Sequence, residues 1–379
     1  MKVGFLSIDA SYVDRREAQI ALFDNGHTAG PFLTVPASDV EWALAQLRTV
    51  CDAIVIEGNK TALYDTYKDT LAGRPDYFEQ DGKLHCVTNA ATPEYINQKV
   101  MPQLGKKNKR RYGVIVFKTY GKTESELRTI LKDFNKKSKI QLGFFPDFAE
   151  CEVHARCSSN MAKEEMNEIS ARLNELLYSF TYSYERISIA ECVAQMLKED
   201  GLKLKIAESF TGGAIAREFT SLPGASEYLV EGLVTYSVAS KHKRLGVKLE
   251  TIAEKGVVSG DTVYSMAHGL MSSGDCDIAV ATTGNAGPTA QSGPVGLCFV
   301  AIGITAISRI AVVRYSFDGD RDENIRLGVK KVLFLMYESI RSFRAQKKAA
   351  QAQAAQMQAA QAQQQATFAA TVNPNNQAN

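Results

Sequence analysis

Ser209 and Lys241 are the residues whose types and settings could do covalent chemistry. Ser209 lies in the run LKLKIAESFTGG, residues 202–213. Residues 203–207 predict a short buried strand and 214–219 a helix. Ser209, Thr211, Gly212 and Gly213 make the turn between them. The first N–H groups of a helix have no intrahelical partner and carry partial positive charge. Paired glycines let a ligand approach that backbone closely. A phosphate or a developing oxyanion could sit there, with Ser209 beside it. The same stretch also reads as a helix that Ser209 or Thr211 merely caps.

Three polar loops each follow a predicted strand: 209–213, 236–241 and 283–288. Parallel strands of an open sheet bring such loops to one edge. That edge would gather the Ser209 hydroxyl, the Lys241 amine, the Tyr236 phenol and N–H donors from two glycine turns. Serine beside a neutral lysine is a route to acyl transfer. The lysine must lose its proton near neutral pH, which burial or a neighbouring cation favours. The other reading of Lys241 is a surface lysine in a basic cluster with Lys243 and Arg244. His242 beside it reads as solvated. Cys192, Cys276 and Cys298 fall on predicted helix or strand, which argues against a thiol nucleophile.

The elements that must position these groups can be taken in chain order. The 379 residues are 45% hydrophobic and 23% charged, the composition of a globular protein of two or three domains. A net charge of +2 gives no pull toward nucleic acid or an anionic membrane. Seven scattered cysteines without a Cys-x-x-Cys pattern argue against a disulfide framework and a zinc ribbon. They suggest reduced thiols in a cytoplasmic protein. No signal peptide and no membrane span are expected. Residues 2–8 and 51–56 predict strands and 39–50 a helix, with another starting near Leu63. This is a parallel α/β pattern over about the first 105 residues. Residues 105–111, GKKNKRR, read as a solvated linker.

Next come strands at 112–120, 141–145 and 152–157 and helices at 125–134 and 161–177, a small α+β module. Cys151, Val153, Ala155 and Cys157 share one face of the last strand while His154 points to the other, so no metal site is expected. Ser188 and Glu191 form a capping box for a helix that Gly201 ends. Further strands are predicted at 229–237, 277–282, 295–304 and 310–317, the last two adjacent and antiparallel. Ser259 caps a helix to about 271, and a helix over 322–344 closes the unit. The Ala/Gln-rich residues 346–379 read as a disordered tail whose first half continues that helix.

The motifs AESFTGG (207–213), VTYSVASK (234–241), TTGNAGP (282–288), PVG (294–296) and FDGDRD (317–322) resemble, in order and spacing, those of the CinA C-terminal domain, the nicotinamide-nucleotide amidase (PncC) family. The resemblance implies hydrolysis of the carboxamide of nicotinamide mononucleotide to nicotinate mononucleotide and ammonia. It implies a three-layer α/β/α fold, a homodimer and no cofactor. FKTYGKTESEL (117–127) and ECEVHARCSSN (150–160) resemble the connecting module of the same family. The first unit then takes the place of a molybdopterin-binding-like domain. Where the family usually has a Gly-Gly-x-Gly-Pro-Thr-x-Asp-Asp loop, this chain reads EGNKTALYD, residues 57–65. That erosion implies loss of the ADP-ribose pyrophosphatase chemistry found in some members. Phe210 replaces a usual cysteine, Val238-Ala239-Ser240-Lys241 a usual Asn-Glu-Ala-Lys, and Asn285 a usual apolar residue.

The resulting expectation is an α/β protein. Residues 1–105 are a degenerate molybdopterin-binding-like domain, 106–185 a connecting module, 186–345 the amidase domain and 346–379 the tail. Ser209 is the nucleophile, Lys241 its base, and Tyr236 an orienting or relaying group. Thr211, Gly212 and Gly213 hold the oxyanion. Arg321 or the turn of Thr283, Gly284 and Gly287 holds the phosphate of the nucleotide substrate. The competing expectations are a non-catalytic nucleotide-binding protein and a retained pyrophosphatase.

Overall fold

A computed structural model describes residues 1–8, 15–58, 77–107, 112–137 and 140–372. The chain forms two compact units, Met1–Arg186 and Ile187–Asn379.

The second unit is built on β10 (Leu204–Glu208), β11 (Leu229–Val234), β12 (Ile278–Gly284), β13 (Leu297–Ile304) and β14 (Arg309–Ser316). Their order is β11-β10-β12-β13-β14. The first three are mutually parallel, and β13 and β14 run antiparallel, as their adjacent apolar runs suggest. Every residue of β10 is buried, as a strand covered on both faces requires. Helix Gly260–Ser272 packs on one face with Val238–Leu245 and Leu249–Lys255 beside it. Helices Ile189–Asp200, Ala214–Thr220 and Arg321–Val372 form the other layer. Alternation along the strands sends Ala207, Ala279, Ala281 and Ala301 toward Val263, Met266 and Leu270, a small-to-large fit. The result is a three-layer α/β/α unit.

Local sequence sets these helix ends. Ser188 and Glu191 form the expected capping box, and Gly201, at φ 63°, ends that helix in the left-handed region. The last helix runs to Val372, through residues expected to be a disordered tail. Alanine and glutamine carry little helix penalty. Extending a helix already nucleated by packing avoids the cost of starting one.

The first unit holds two sheets. β1 (Lys2–Ile8), β2 (Thr28–Val35), β3 (Ala53–Glu57), β4 (Tyr77–Gln80) and β5 (Lys83–Thr88) take the order β2-β1-β3-β5-β4. They are parallel except for the edge strand β4. β6 (Tyr112–Tyr120), β7 (Gln141–Asp147), β8 (Glu150–Ser158) and β9 (Thr181–Ser183) form an antiparallel sheet ordered β7-β8-β6-β9. Cys151, Val153, Ala155 and Cys157 enter one apolar cluster. His154 turns to the opposite side, with Nδ1 2.7 Å from Asp24 and Nε2 3.3 Å from Glu152. The altered loop at 57–65 lies outside the described residues from 59 onward, as does the helix expected near Leu63. No helix among the described residues is long and apolar enough to cross a membrane.

Candidate active site

The carboxyl ends of the three parallel strands place the three polar loops at one edge. Ser209 follows β10 directly, and Ser237 caps the helix Val238–Leu245 that follows β11. Residues 238–241, expected as loop, are the first turn of that helix. The cap takes the Ser240 N–H at 3.1 Å, and the helix then turns Lys241 inward. Lys241 is fully buried and therefore not a surface lysine. Its Nζ lies 3.0 Å from Ser209 Oγ, 2.8 Å from the Thr235 carbonyl and 3.4 Å from the Tyr236 carbonyl. No carboxylate is within ion-pair distance of it among the described residues. Burial pulls its pKa down from 10.5 to about 8.

The two carbonyls decide what the neutral amine can do. A neutral lysine has two N–H donors and one lone pair. The carbonyls only accept, so they take the N–H groups. The lone pair is left toward Ser209 Oγ, as a base for that hydroxyl must have it. The Ser209 N–H donates to Thr282 Oγ1 at 3.3 Å, which also lies 3.0 Å from Thr211 Oγ1. Thr282 thereby fixes the serine and the turn together.

Glu208 changes the expected anion site. It is the last residue of β10, 1% exposed, and its carboxylate accepts the N–H groups of Gly213, Ile215 and Ala216 at 2.8–3.1 Å. The helix N-terminus therefore already holds an anion supplied by the chain. Gly213 is removed as an oxyanion donor for that reason. The N–H groups of Thr211 and Gly212 are not among those bonded to Glu208. Gly212 and Gly213 have φ values of 62° and 101°, which a side chain would resist, and this lets the chain fold back over Glu208.

A pocket of about 100 Å³ opens beside Ser209, with Phe210, Tyr236, Asn285, Gln291 and Arg321 in its wall. Gly284 also lines it. Arg321 donates to the Gly287 carbonyl at 2.7 Å and to the Tyr236 hydroxyl at 3.3 Å. Tyr236 thus presents an exposed ring whose hydroxyl is bonded to Arg321 rather than to the Ser209–Lys241 pair, which removes it as a proton relay. Thr283 is corrected as well. It is buried and donates to the Val257 carbonyl at 2.8 Å, because alternation along β12 turns Thr282 toward Ser209 and Thr283 away. Gly287 contributes through its carbonyl.

Two of the three departures in sequence acquire physical reasons, and nothing in the structure explains Val238. Phe210 is buried, 6.0 Å from the Phe317 ring, and a Cβ added at Gly284 or Gly328 would come within 2.5 or 2.7 Å of its ring. Two glycines make room for it. Asn285 is buried and ties the neighbouring loop, donating to the carbonyls of Ser292 and Pro294 and accepting the Gln291 N–H. Val238 sits in the first helical turn, partly exposed, and takes no part in holding Lys241. Sequence reasoning missed Glu208, Thr235, Thr282 and Asn324. Asn324, wholly buried, bonds the carbonyls of Ala286 and Gly319 and holds the pocket rim. An acid ending a strand four residues before a glycine pair was the available signal for Glu208.

Comparison with known proteins agrees with this unit. The family model of the CinA C-terminal domain matches residues 186–340. A putative competence-damage inducible protein of Caldicellulosiruptor saccharolyticus is 32% identical over 252 residues, covering 64% of this chain and 61% of the relative. A CinA-like protein of Shewanella pealeana is 39% identical over 188 residues, covering 48% of this chain and 44% of the relative. The chain thus spans about three-fifths or less of the length of these curated relatives. The crystal structure of a competence/damage inducible protein, CihA, from Agrobacterium tumefaciens is 33% identical, covering 41% of this chain and 97% of that one, with a TM-score of 0.38. Residues 186–340 of the chain are a CinA C-terminal domain.

Proposed function

We propose that the C-terminal unit is an amidohydrolase that converts nicotinamide mononucleotide to nicotinate mononucleotide and ammonia. The observation that carries the reading is the buried Lys241 amine, 3.0 Å from Ser209 Oγ and tied to two carbonyls. Ser209 Oγ attacks the carboxamide carbon while Lys241 Nζ takes its proton. The oxyanion forms beside the N–H groups of Thr211 and Gly212. Collapse breaks the C–N bond, and Lys241 returns the proton to the departing ammonia. Water then attacks the ester on Ser209 with Lys241 again as base, releasing the carboxylate and restoring the serine. The Tyr236 ring offers a stacking face for the base, and Arg321, beside it, the charge for the phosphate.

The test is ammonia release from nicotinamide mononucleotide by the full chain, beside nicotinamide riboside, which lacks the phosphate. The reading expects turnover of the nucleotide and a much weaker reaction of the riboside. No ammonia from either substrate would sink it. The small pocket filled on one side by Phe210 favours one other reading, a nucleotide-binding protein without turnover. Calorimetric binding of the nucleotide with no ammonia would support that one.

A further inference from the structure

The unit Met1–Arg186 has a pocket of its own, about 460 Å³, formed by helix Arg15–Asp24 and strands β2, β7 and β8. Small-molecule sites have this size. Phe23, Phe145 and Leu142 give it apolar walls, and His27, Gln141 and Arg156 polar ones.

Two of these groups are only partly used by the fold. Arg156 is 9% exposed, yet no carboxylate lies within ion-pair distance of it among the described residues. Asp24, whose charge reaches it, is bonded to His154 Nδ1. The guanidinium donates to the Phe23 carbonyl and to Gln141 Oε1, both uncharged, and lies over the rings of Phe23 and Tyr112. Those bonds occupy two of five N–H donors. Burial pulls its pKa down, against the opposing influence of Tyr112 and Asp24. His27 is 4% exposed, and its Nδ1 has no hydrogen-bond partner. Burial, with help from the Met1 amino group and Arg156, holds the His27 pKa down at about 4, so the ring is neutral at pH 7. That nitrogen is closed to solvent, so the ring meets the pocket by another edge. Buried polar groups are nearly always paired, so the spare Arg156 donors point to a ligand. A cation with no carboxylate bonded to it and apolar walls in one pocket are complementary to an anion with an apolar body.

We propose that this pocket binds a small organic anion, a carboxylate or phosphate monoester on an aromatic or aliphatic body, with its oxygens on Arg156 and its body against Phe145 and Leu142. The site is independent of Ser209.

The test is NMR of the full chain with labelled histidine rings. There are five histidines, and His27→Gln identifies the relevant resonance. Benzoate, phenyl phosphate, inorganic phosphate and benzyl alcohol are the probes. Benzoate or phenyl phosphate moves the His27 resonance saturably and leaves His242 and His268 in place. Whichever binds more tightly identifies the anion. Inorganic phosphate and benzyl alcohol bind at least about tenfold more weakly, and Arg156→Gln weakens the aromatic anion by about tenfold or more. Should Arg156→Gln fail to fold, Leu142→Trp, which fills the pocket, abolishes the shift. The proposal is overturned if neither aromatic anion moves His27, or if benzyl alcohol or inorganic phosphate binds as well as they do. It is also overturned if folded Arg156→Gln, or Leu142→Trp, binds like wild type.

Discussion

Lys241 Nζ stands 3.0 Å from Ser209 Oγ although the serine follows one strand and the lysine sits one turn into a helix after the neighbouring strand. The parallel pairing of β10 and β11 makes that meeting possible, and the Ser237 cap sets the angle at which Lys241 turns inward.

Because burial lowers the Lys241 pKa to about 8, activity follows the neutral amine. The kcat/KM for ammonia release rises with pH through an apparent pKa near 8, the value in the free enzyme. Lys241→Met lowers kcat/KM by about 10²–10⁴-fold and abolishes that limb. A profile flat between pH 6 and pH 10, about two units either side of that value, contradicts the assignment.

The same depressed pKa is linked to stability. Between about 8 and 10.5 the unfolded chain binds a proton at this side chain that the folded chain lacks, so its contribution to stability rises with pH across that window. It is fully present above 10.5 and is lost as pH falls through about 8. Denaturant unfolding of wild type and Lys241→Met at several pH values isolates it. The wild type gains on the variant by up to about 3 kcal/mol from pH 7 to pH 10.5. A constant difference would mean the amine is not perturbed.

Glu208→Gln keeps the shape but points an amide N–H₂ toward backbone N–H donors. Loss of stability of about 1–3 kcal/mol is expected, with a fall in kcat as the Ser209 turn loosens. Equal thermal midpoints for variant and wild type would show that the carboxylate is not needed there.

Gly328→Ala tests the room made for Phe210. An alanine gains about 1 kcal/mol of helix propensity, but overpacking against the ring costs about 1–3 kcal/mol. Clash wins while Phe210 is present, and with Phe210→Cys the alanine becomes neutral or stabilising. Additive effects of the two changes in a double-mutant cycle would mean the ring and the glycine are not coupled.

Much of this edge was legible in the sequence, for identifiable reasons. Ser209 and the strands before each loop stood out because a buried parallel strand is a continuous apolar run ending in polar residues, as at 278–283. Arg321 followed from its motif. The helical setting of Lys241 did not, because residues 238–244 carry four basic side chains and resemble a solvated loop. Glu208 was passed over because its partners are backbone N–H groups, so only its place at a strand end ahead of the glycines marked it. The opposed directions of Thr282 and Thr283 depend on where β12 ends, which two adjacent threonines do not reveal. β2 escaped notice because Gly30 and Pro31 interrupt TAGPFLTV, and β4 because it has only four residues.

The most direct test of the account is ammonia release from nicotinamide mononucleotide by Ser209→Ala beside wild type, with circular dichroism confirming that both are folded. The predicted result is turnover by wild type and a loss of about 10⁴-fold or more in kcat for the variant. A folded Ser209→Ala protein that releases ammonia at the wild-type rate would contradict it.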